Sequence, residues 1–421
     1  MTRTRKELLE ALEECVSCGR CLAECPLYKI TGREGSSARG KLALLKAELG
    51  GEVDLARRMK DLLSYCLMCG ACAESCVNEV KGDELIQAGR TLAVKNRGLP
   101  GIKRLLARDV MSHGSLSRAA LASRSLWLKN VPPESGLHFR FPLPGLNPDR
   151  WLPPLAPQPF LDAPPETIQP SGSGPRVALF AGCVANYLHP ETALAAVRVL
   201  EAAGARVFIP REQVCCGKPA LGSGDTKTAD FLARKNLAAF ESEEFDYIAA
   251  FCATCSAQLK EYAHRKDLPA GKNWANRVRD MNELLVNDLH WRPQTGQADK
   301  KAEPLRVFYH DPCHLHRKQG IIEEPRALIR SLPGVELLGA DQPPVCCGYG
   351  GLFNLWHYSL SQDVLHNRTE TIAPFEPDVI VTACSGCLLQ FEDGIRRQGL
   401  DTKISSLVEL IASRDLNEPA S

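Results

Sequence analysis

The sequence predicts an α+β multidomain chain: a helical, cysteine-rich N-terminal domain followed by two α/β repeats built from βαβ units. Three observations carry this. Eight of the 18 cysteines fall between Cys15 and Cys76, among stretches of helical spacing. None follows until Cys183. From residue 176 the chain then runs twice through one order of motifs: apolar strand, single Cys, helix, strand, Cys-Cys-Gly, helix, strand, Cys-x-x-Cys.

The composition narrows the functional class. Across 421 residues, 44% hydrophobic and 24% charged side chains are ordinary for a water-soluble chain of several domains. A formal net charge of +1 argues against a whole-chain nucleic-acid binder. No apolar run reaches the ~18 residues of a bilayer span. The opening MTRTRKELLEALEE has no apolar stretch before its acidic residues, unlike a secretory signal. A cytoplasmic location is therefore expected, with room for a peripheral seat on the inner membrane face. Disulfides are disfavoured there, so 18 cysteines point to metal or redox chemistry.

Residues 1–110 form the first expected domain. Its motifs are Cys15-x-x-Cys18-x-x-Cys21-x-x-x-Cys25-Pro26 and Cys66-x-x-Cys69-x-x-Cys72-x-x-x-Cys76. Each is the cysteine run of bacterial ferredoxins, whose fourth member ligates the other cluster when two are present. On that pattern Cys15, Cys18, Cys21 and Cys76 hold one cubane [4Fe–4S] cluster, and Cys66, Cys69, Cys72 and Cys25 hold a second. Structural zinc uses two Cys pairs per ion, a poorer match to three close thiols plus a distant one, twice. Val77 stands where proline usually follows the second run, which weakens a turn and leaves the ligand set intact. The inserts ARGKLALLKAEL and VDLARRMKDLL have helical spacing, so the domain is expected to be helical and ferredoxin-type.

Residues 111–175 are expected to be a linker, basic and then Pro-rich. The basic run extends from Leu85 to Pro133, where Arg90, Lys95, Arg97, Lys103, Arg104, Arg108, Arg118, Arg124 and Lys129 face only Asp109, and within residues 101–130 the positive residues are interleaved with Leu105, Leu106, Leu126, Trp127 and Leu128. Such a stretch suits an anionic membrane surface or a docking partner, or simply a solvated helical face against the clusters. The pairs Pro132-Pro133, Pro153-Pro154 and Pro164-Pro165 favour extended chain.

The repeats are assigned to residues 176–300 and 301–421. VALFA, RVFIP and YIAAF have strand length, and PETALAAVRVLEAAG has helical spacing from Pro190 to Gly204. Strands alternating with helices imply a Rossmann-like parallel sheet, with each cysteine motif at the carboxyl end of a strand. Copy one supplies Cys183, Cys215, Cys216, Cys252 and Cys255; copy two supplies Cys313, Cys346, Cys347, Cys384 and Cys387. Adjacent cysteines fit one tetrahedral ion poorly and suit a cluster with two nearby irons. Gly217 and Gly348 are expected to clear space for a large cofactor. Zinc, a cubane with a spare thiol, and a vicinal disulfide are the competing readings.

These duplicated motifs resemble the CCG domain of heterodisulfide reductase catalytic subunits. That domain also occurs in iron–sulfur subunits of glycolate oxidase, D-lactate dehydrogenase and anaerobic glycerol-3-phosphate dehydrogenase. With the opening CVSCGRCLAECPLY and the following SSARGKLALLK, nearly the whole chain resembles the glycolate oxidase or D-lactate dehydrogenase iron–sulfur subunit. The resemblance implies two non-cubane [4Fe–4S] clusters, one per five-cysteine set. It also implies an FAD-containing partner that oxidises a 2-hydroxy acid, with electrons passed to a quinone or another carrier. This chain lacks a Gly-x-Gly-x-x-Gly strand–helix turn, so no flavin is expected on it. Two other readings are a heterodisulfide reductase-like subunit that reduces a disulfide at its CCG clusters, and a zinc-bearing scaffold.

The copies differ around their first cysteine. His310, Asp311, His314 and His316 surround Cys313, whereas Tyr187 and His189 are the polar neighbours of Cys183. The three histidines His310, His314 and His316 are the candidate catalytic residues, since a near-neutral imidazole supplies protons alongside electrons. Their other reading is hydrogen bonding to cluster sulfur, which tunes potential. The asymmetry marks copy two as the expected electron exit.

Overall fold

The computed structural model describes residues 4–55, 58–98, 101–114, 118, 150, 151, 153–162, 174–241, 244–265, 268, 270, 272–293 and 303–415. Most of the 111–175 linker thus lies outside the described residues.

The N-terminal domain is helical, as its spacing predicts. Thr4 caps helix Arg5–Glu13 and Glu7 reaches back to the Thr4 amide, closing a capping box. Helices Ala38–Gly50, Met59–Ser64 and Gly82–Arg97 pack with it around Leu8, Leu12, Leu42, Leu45, Leu63 and Ile86. The short helices Arg20–Glu24 and Ala71–Glu74 each begin inside a cysteine run, immediately after Gly19 and Gly70.

Each repeat is a four-stranded parallel sheet. In copy one, β1 (Arg176–Phe180), β2 (Arg206–Phe208), β3 (Tyr247–Ala250) and β4 (Val278–Asp280) lie in the order β2-β1-β3-β4. Val177 pairs with Val207 on one side and Tyr247 on the other. In copy two, β5 (Leu305–His310), β6 (Val335–Leu338), β7 (Val379–Thr382) and β8 (Lys403–Ser406) repeat it as β6-β5-β7-β8. The central strands are buried along nearly their whole length, hence their continuous apolar runs. Both fourth strands go beyond the three expected. They are edge strands of three and four residues with mixed polarity, too short to show a period.

The two repeats share one hydrophobic core. Helix Pro190–Ala202 of copy one packs on helix Leu407–Asp415 of copy two, where the Thr192 hydroxyl donates to Glu409. His189 bridges Glu191 and Glu392 across the same seam, at 2.9 and 3.2 Å. At its centre the Ala253 amide donates to the Ala383 carbonyl at 2.9 Å.

Arg90, counted in the basic run, is buried, and its guanidinium donates to the carbonyls of Leu63, Ser64, Cys66 and Gly222. Helix Gly101–Met111 lies on copy one, with Arg104 paired to Asp225 and Arg108 stacked 3.4 Å from the Phe231 ring centre. Outside this packing, Leu105 and Val110 remain exposed. The described part of the Pro-rich stretch is pinned: Ala156 and Phe160 donate to the carbonyls of Tyr187 and Asn186, and Trp151 donates to Asp393.

Candidate functional site

The 18 thiols gather in three places. Cys15, Cys18, Cys21 and Cys76 line one small cavity, with Cys72 at its inner edge. It opens at the surface, where Cys18 is exposed and Val16 and Val77 are 65% and 59% exposed. Cys25, Cys66, Cys69 and Cys72 line a second cavity beneath it. These groupings are the crossed sets expected from the ferredoxin pattern, and Cys72 borders both.

The inner cavity holds a feature not foreseen from the sequence. Lys41 is 1% exposed and lines this cavity, with its ammonium donating to the Ser36 and Ser37 carbonyls. Burial lowers its pKa while the thiols of Cys66 and Cys25 oppose that. Burial likewise pushes Cys25 up to about 11 and raises Cys72 further. The available signal was a single Lys on the otherwise apolar side of helix Ala38–Gly50.

All ten repeat cysteines line a single chamber with about 1220 Å³ of space, part of it open to solvent. The sequence placed five thiols at the rim of each sheet; the packing turns the two rims toward each other. The Sγ atoms of Cys347 and Cys387 are 3.2 Å apart, and those of Cys252 and Cys384, one from each copy, 4.0 Å. Cys183 reaches Cys215 and Cys313 reaches Cys346. The chamber also meets the N-terminal domain. Cys346 packs against Cys69 of the inner cavity, and this thiol neighbour holds Cys69 down to about 7. Around that contact Leu27 and Leu67 pack with Phe353 and Val364.

Gly217 and Gly348 sit at φ of +83° and +89°, a conformation that L side chains rarely adopt. A Cβ on Gly348 would lie 2.5 Å from the Ser361 carbonyl oxygen. The left-handed backbone calls for glycine at both positions, and at Gly348 the neighbouring helix also leaves no room for a side chain.

The three candidate histidines have different surroundings. His310 is 1% exposed at the end of β5, and a ring nitrogen lies within 4.8 Å of both the Cys347 and Cys387 Sγ atoms. His314 lines the chamber; its Nδ1 is 2.9 Å from the Thr254 hydroxyl, and burial together with Lys218 and Lys318 lowers it to about 3. Thr254, inside a Cys-x-x-Cys and overlooked in the sequence, also lies 3.3 Å from Cys384 Sγ. His316 faces out of the chamber's chemistry, 3.5 Å from Glu74 of the N-terminal domain.

The donor sets fit iron–sulfur clusters. Thiols dominate the metal-binding groups of each cavity, with Asp83 beside the inner set and His314 in the chamber, and the backbone is bare where the thiols crowd. A Cβ on Gly82 would come within 3.3 Å of Cys72 Sγ, and one on Gly182 within 3.4 Å of Cys255 Sγ.

Comparison with known families agrees. Residues 11–80 match a 4Fe-4S dicluster domain, and residues 177–260 and 307–392 each match a cysteine-rich CCG domain. Over 97% of its length the chain is 31% identical to a probable glycolate oxidase iron-sulfur subunit of Bacillus subtilis, covering 95% of that protein. The chain belongs to this family of iron–sulfur subunits. As such it is an oxidoreductase subunit with an electron-transfer role. It is also 28% identical to a fumarate reductase (CoM/CoB) subunit of Methanothermobacter marburgensis, over 95% of this chain and 72% of that one. Over 57% of its length it is 30% identical to the whole of lactate utilization protein A of Bacillus licheniformis. Among the described residues no helix is long and apolar enough to cross a membrane.

Proposed function

We propose that this chain is the electron-transfer subunit of a flavin-dependent 2-hydroxy-acid dehydrogenase complex acting on D-lactate or glycolate. It takes electrons from a partner FAD subunit and delivers them to a quinone or another acceptor. The observation that supports this most directly is the unbroken succession of thiol sites. It runs from exposed Cys18, through Cys72 shared by two cavities, across the Cys69–Cys346 contact, into the ten-thiol chamber.

On this reading Cys15, Cys18, Cys21 and Cys76 hold one cubane and Cys25, Cys66, Cys69 and Cys72 the other. Each five-cysteine set holds a non-cubane cluster. Such clusters supply reversible one-electron redox change when bound. The protein's own residues do the rest. Buried Lys41 places positive charge beside the inner thiols, which favours the reduced, more negative state. Arg90 and the pairs Arg317–Glu74 and Lys318–Asp83 fix the N-terminal domain on both repeats, holding Cys69 against Cys346. The shared core includes Cys215, Cys252, Cys347 and Cys387 of the chamber wall and shields them from water.

Iron and acid-labile sulfide analysis tests the cofactor assignment; four [4Fe–4S] clusters require about sixteen irons per chain. Zinc without iron would establish the scaffold reading instead. Co-purification with a flavoprotein, and bleaching of the clusters on adding D-lactate or glycolate, tests the function. If no 2-hydroxy acid reduces the intact complex, the proposal fails. One observation favours the disulfide-reducing reading: a single chamber exposes both copies to one small molecule. Release of thiols from a disulfide under an artificial donor would select it.

A further inference from the structure

The two repeats are matched in their thiols and differ at the buried last position of their first strand. β1 ends at Phe180 and β5 ends at His310, each three residues before the first cysteine of its copy. His310 is held from two sides. Its ring meets Phe391 edge-on at 4.9 Å, and Arg368 Nε donates to its Nδ1 at 3.4 Å. Arg368 is itself buried, with a second guanidinium nitrogen on the Thr371 hydroxyl and its charge over the Phe308 ring.

A guanidinium has only donors, so the nitrogen that receives Arg368 must carry the lone pair. The proton of neutral His310 is thereby placed on Nε2. Nε2 is buried and has no hydrogen-bond partner among the described residues. A buried N–H left unpaired is costly, and the thiols of Cys347 and Cys387 stand within 4.8 Å of this imidazole.

We infer that His310 is an N–H donor to the sulfur of the copy-two site, fixed in that tautomer by Arg368, and that it sets the copy-two potential above that of copy one, where Phe180 offers no donor. This rests on the reading that copy two holds an iron–sulfur cluster. A hydrogen bond to cluster sulfur stabilises added negative charge, so it raises the reduction potential. His310 is then a positioning and tuning residue. The two copies become inequivalent, with copy two, the one that Cys69 touches, the easier to reduce.

The test is a redox titration of the full chain followed by EPR, comparing wild type, His310→Phe, which copies the Phe180 environment, and His310→Gln, which keeps an N–H donor. The expected result is a fall of the copy-two midpoint in His310→Phe, recovery of much of it in His310→Gln, and unchanged iron content in both. An unmoved midpoint, or Gln behaving like Phe, overturns the inference. Loss of one cluster's iron in His310→Phe also overturns it, because His310 would then be a ligand. Pulsed EPR of the wild-type protein gives a check independent of folding in the variants: weak nitrogen coupling with an exchangeable proton supports a donor, and strong coupling from a directly bound nitrogen refutes it. Absence of any copy-two redox signal in wild-type protein would instead sink the underlying cluster assignment.

Discussion

The Sγ atoms of Cys252 and Cys384 lie 4.0 Å apart, although 132 positions separate them in sequence. Each is the first cysteine after the third strand of its repeat, so the two copies meet at equivalent atoms. In protein stripped of iron and mildly oxidised, these thiols should form a cross-repeat disulfide. Peptide mass mapping should find the Cys252 and Cys384 peptides joined, and Cys252→Ser should abolish the product. A map showing only pairs within one copy would contradict this contact.

Lys41 should set the potential of the inner N-terminal site. Replacing it with Met removes a buried positive charge beside Cys25 and Cys66 and should lower that site's midpoint, leaving the outer site nearly unchanged. Lys41→Arg should restore most of the difference. Potentiometric EPR reads both sites in one titration, and equal shifts at the two would count against a local charge effect.

Arg90 should matter more for cohesion than for chemistry. Its guanidinium satisfies carbonyls on both sides of the joint between the N-terminal domain and copy one. Arg90→Ala leaves these acceptors buried and should cost about 3 kcal/mol. Denaturant unfolding should show a lowered midpoint, with limited proteolysis releasing the N-terminal domain first. An unchanged midpoint would show that the joint is held elsewhere.

The seam between the repeats should weaken in alkali. Burial opposes the charge on His189, but hydrogen bonds to Glu191 and Glu392 outweigh it and raise the imidazole to about 10. The folded value lies above the ordinary 6.5 or so of an unfolded histidine. The stabilisation is therefore complete below about pH 6.5 and is lost as pH rises toward 10. Against His189→Gln, wild type should be more stable by on the order of 2 kcal/mol at pH 6, allowing for the solvent that screens Glu191. The gap should close by pH 10 in parallel denaturation curves; a gap independent of pH would exclude the charged form.

Local signals made the cysteine motifs and their elements legible. The duplicated run named the groupings, and Pro190 and Gly204 bracketed the helix found at Pro190–Ala202. What depends on how separate elements meet was not legible. Nothing local tells that two sheet rims face one chamber, because each repeat's pattern is complete by itself. Nothing local marks Arg90 or Lys41 as buried; their burial comes from how separate helices pack. His310 showed in the sequence as one of three histidines, but only Arg368 distinguishes its two nitrogens.

The hydrogen bond from Ala253 to Ala383 and the core common to both sheets have a consequence for the repeat as a unit. One copy alone would present half an enclosure: an apolar face and an open row of thiols. It could close only by meeting another copy, and that encounter would depend on concentration. Joining two copies in one polypeptide makes the encounter intramolecular, at an effective concentration on the order of millimolar for a short flexible tether. Covalent linkage also frees the halves to diverge, so one can end a strand with phenylalanine and the other with histidine.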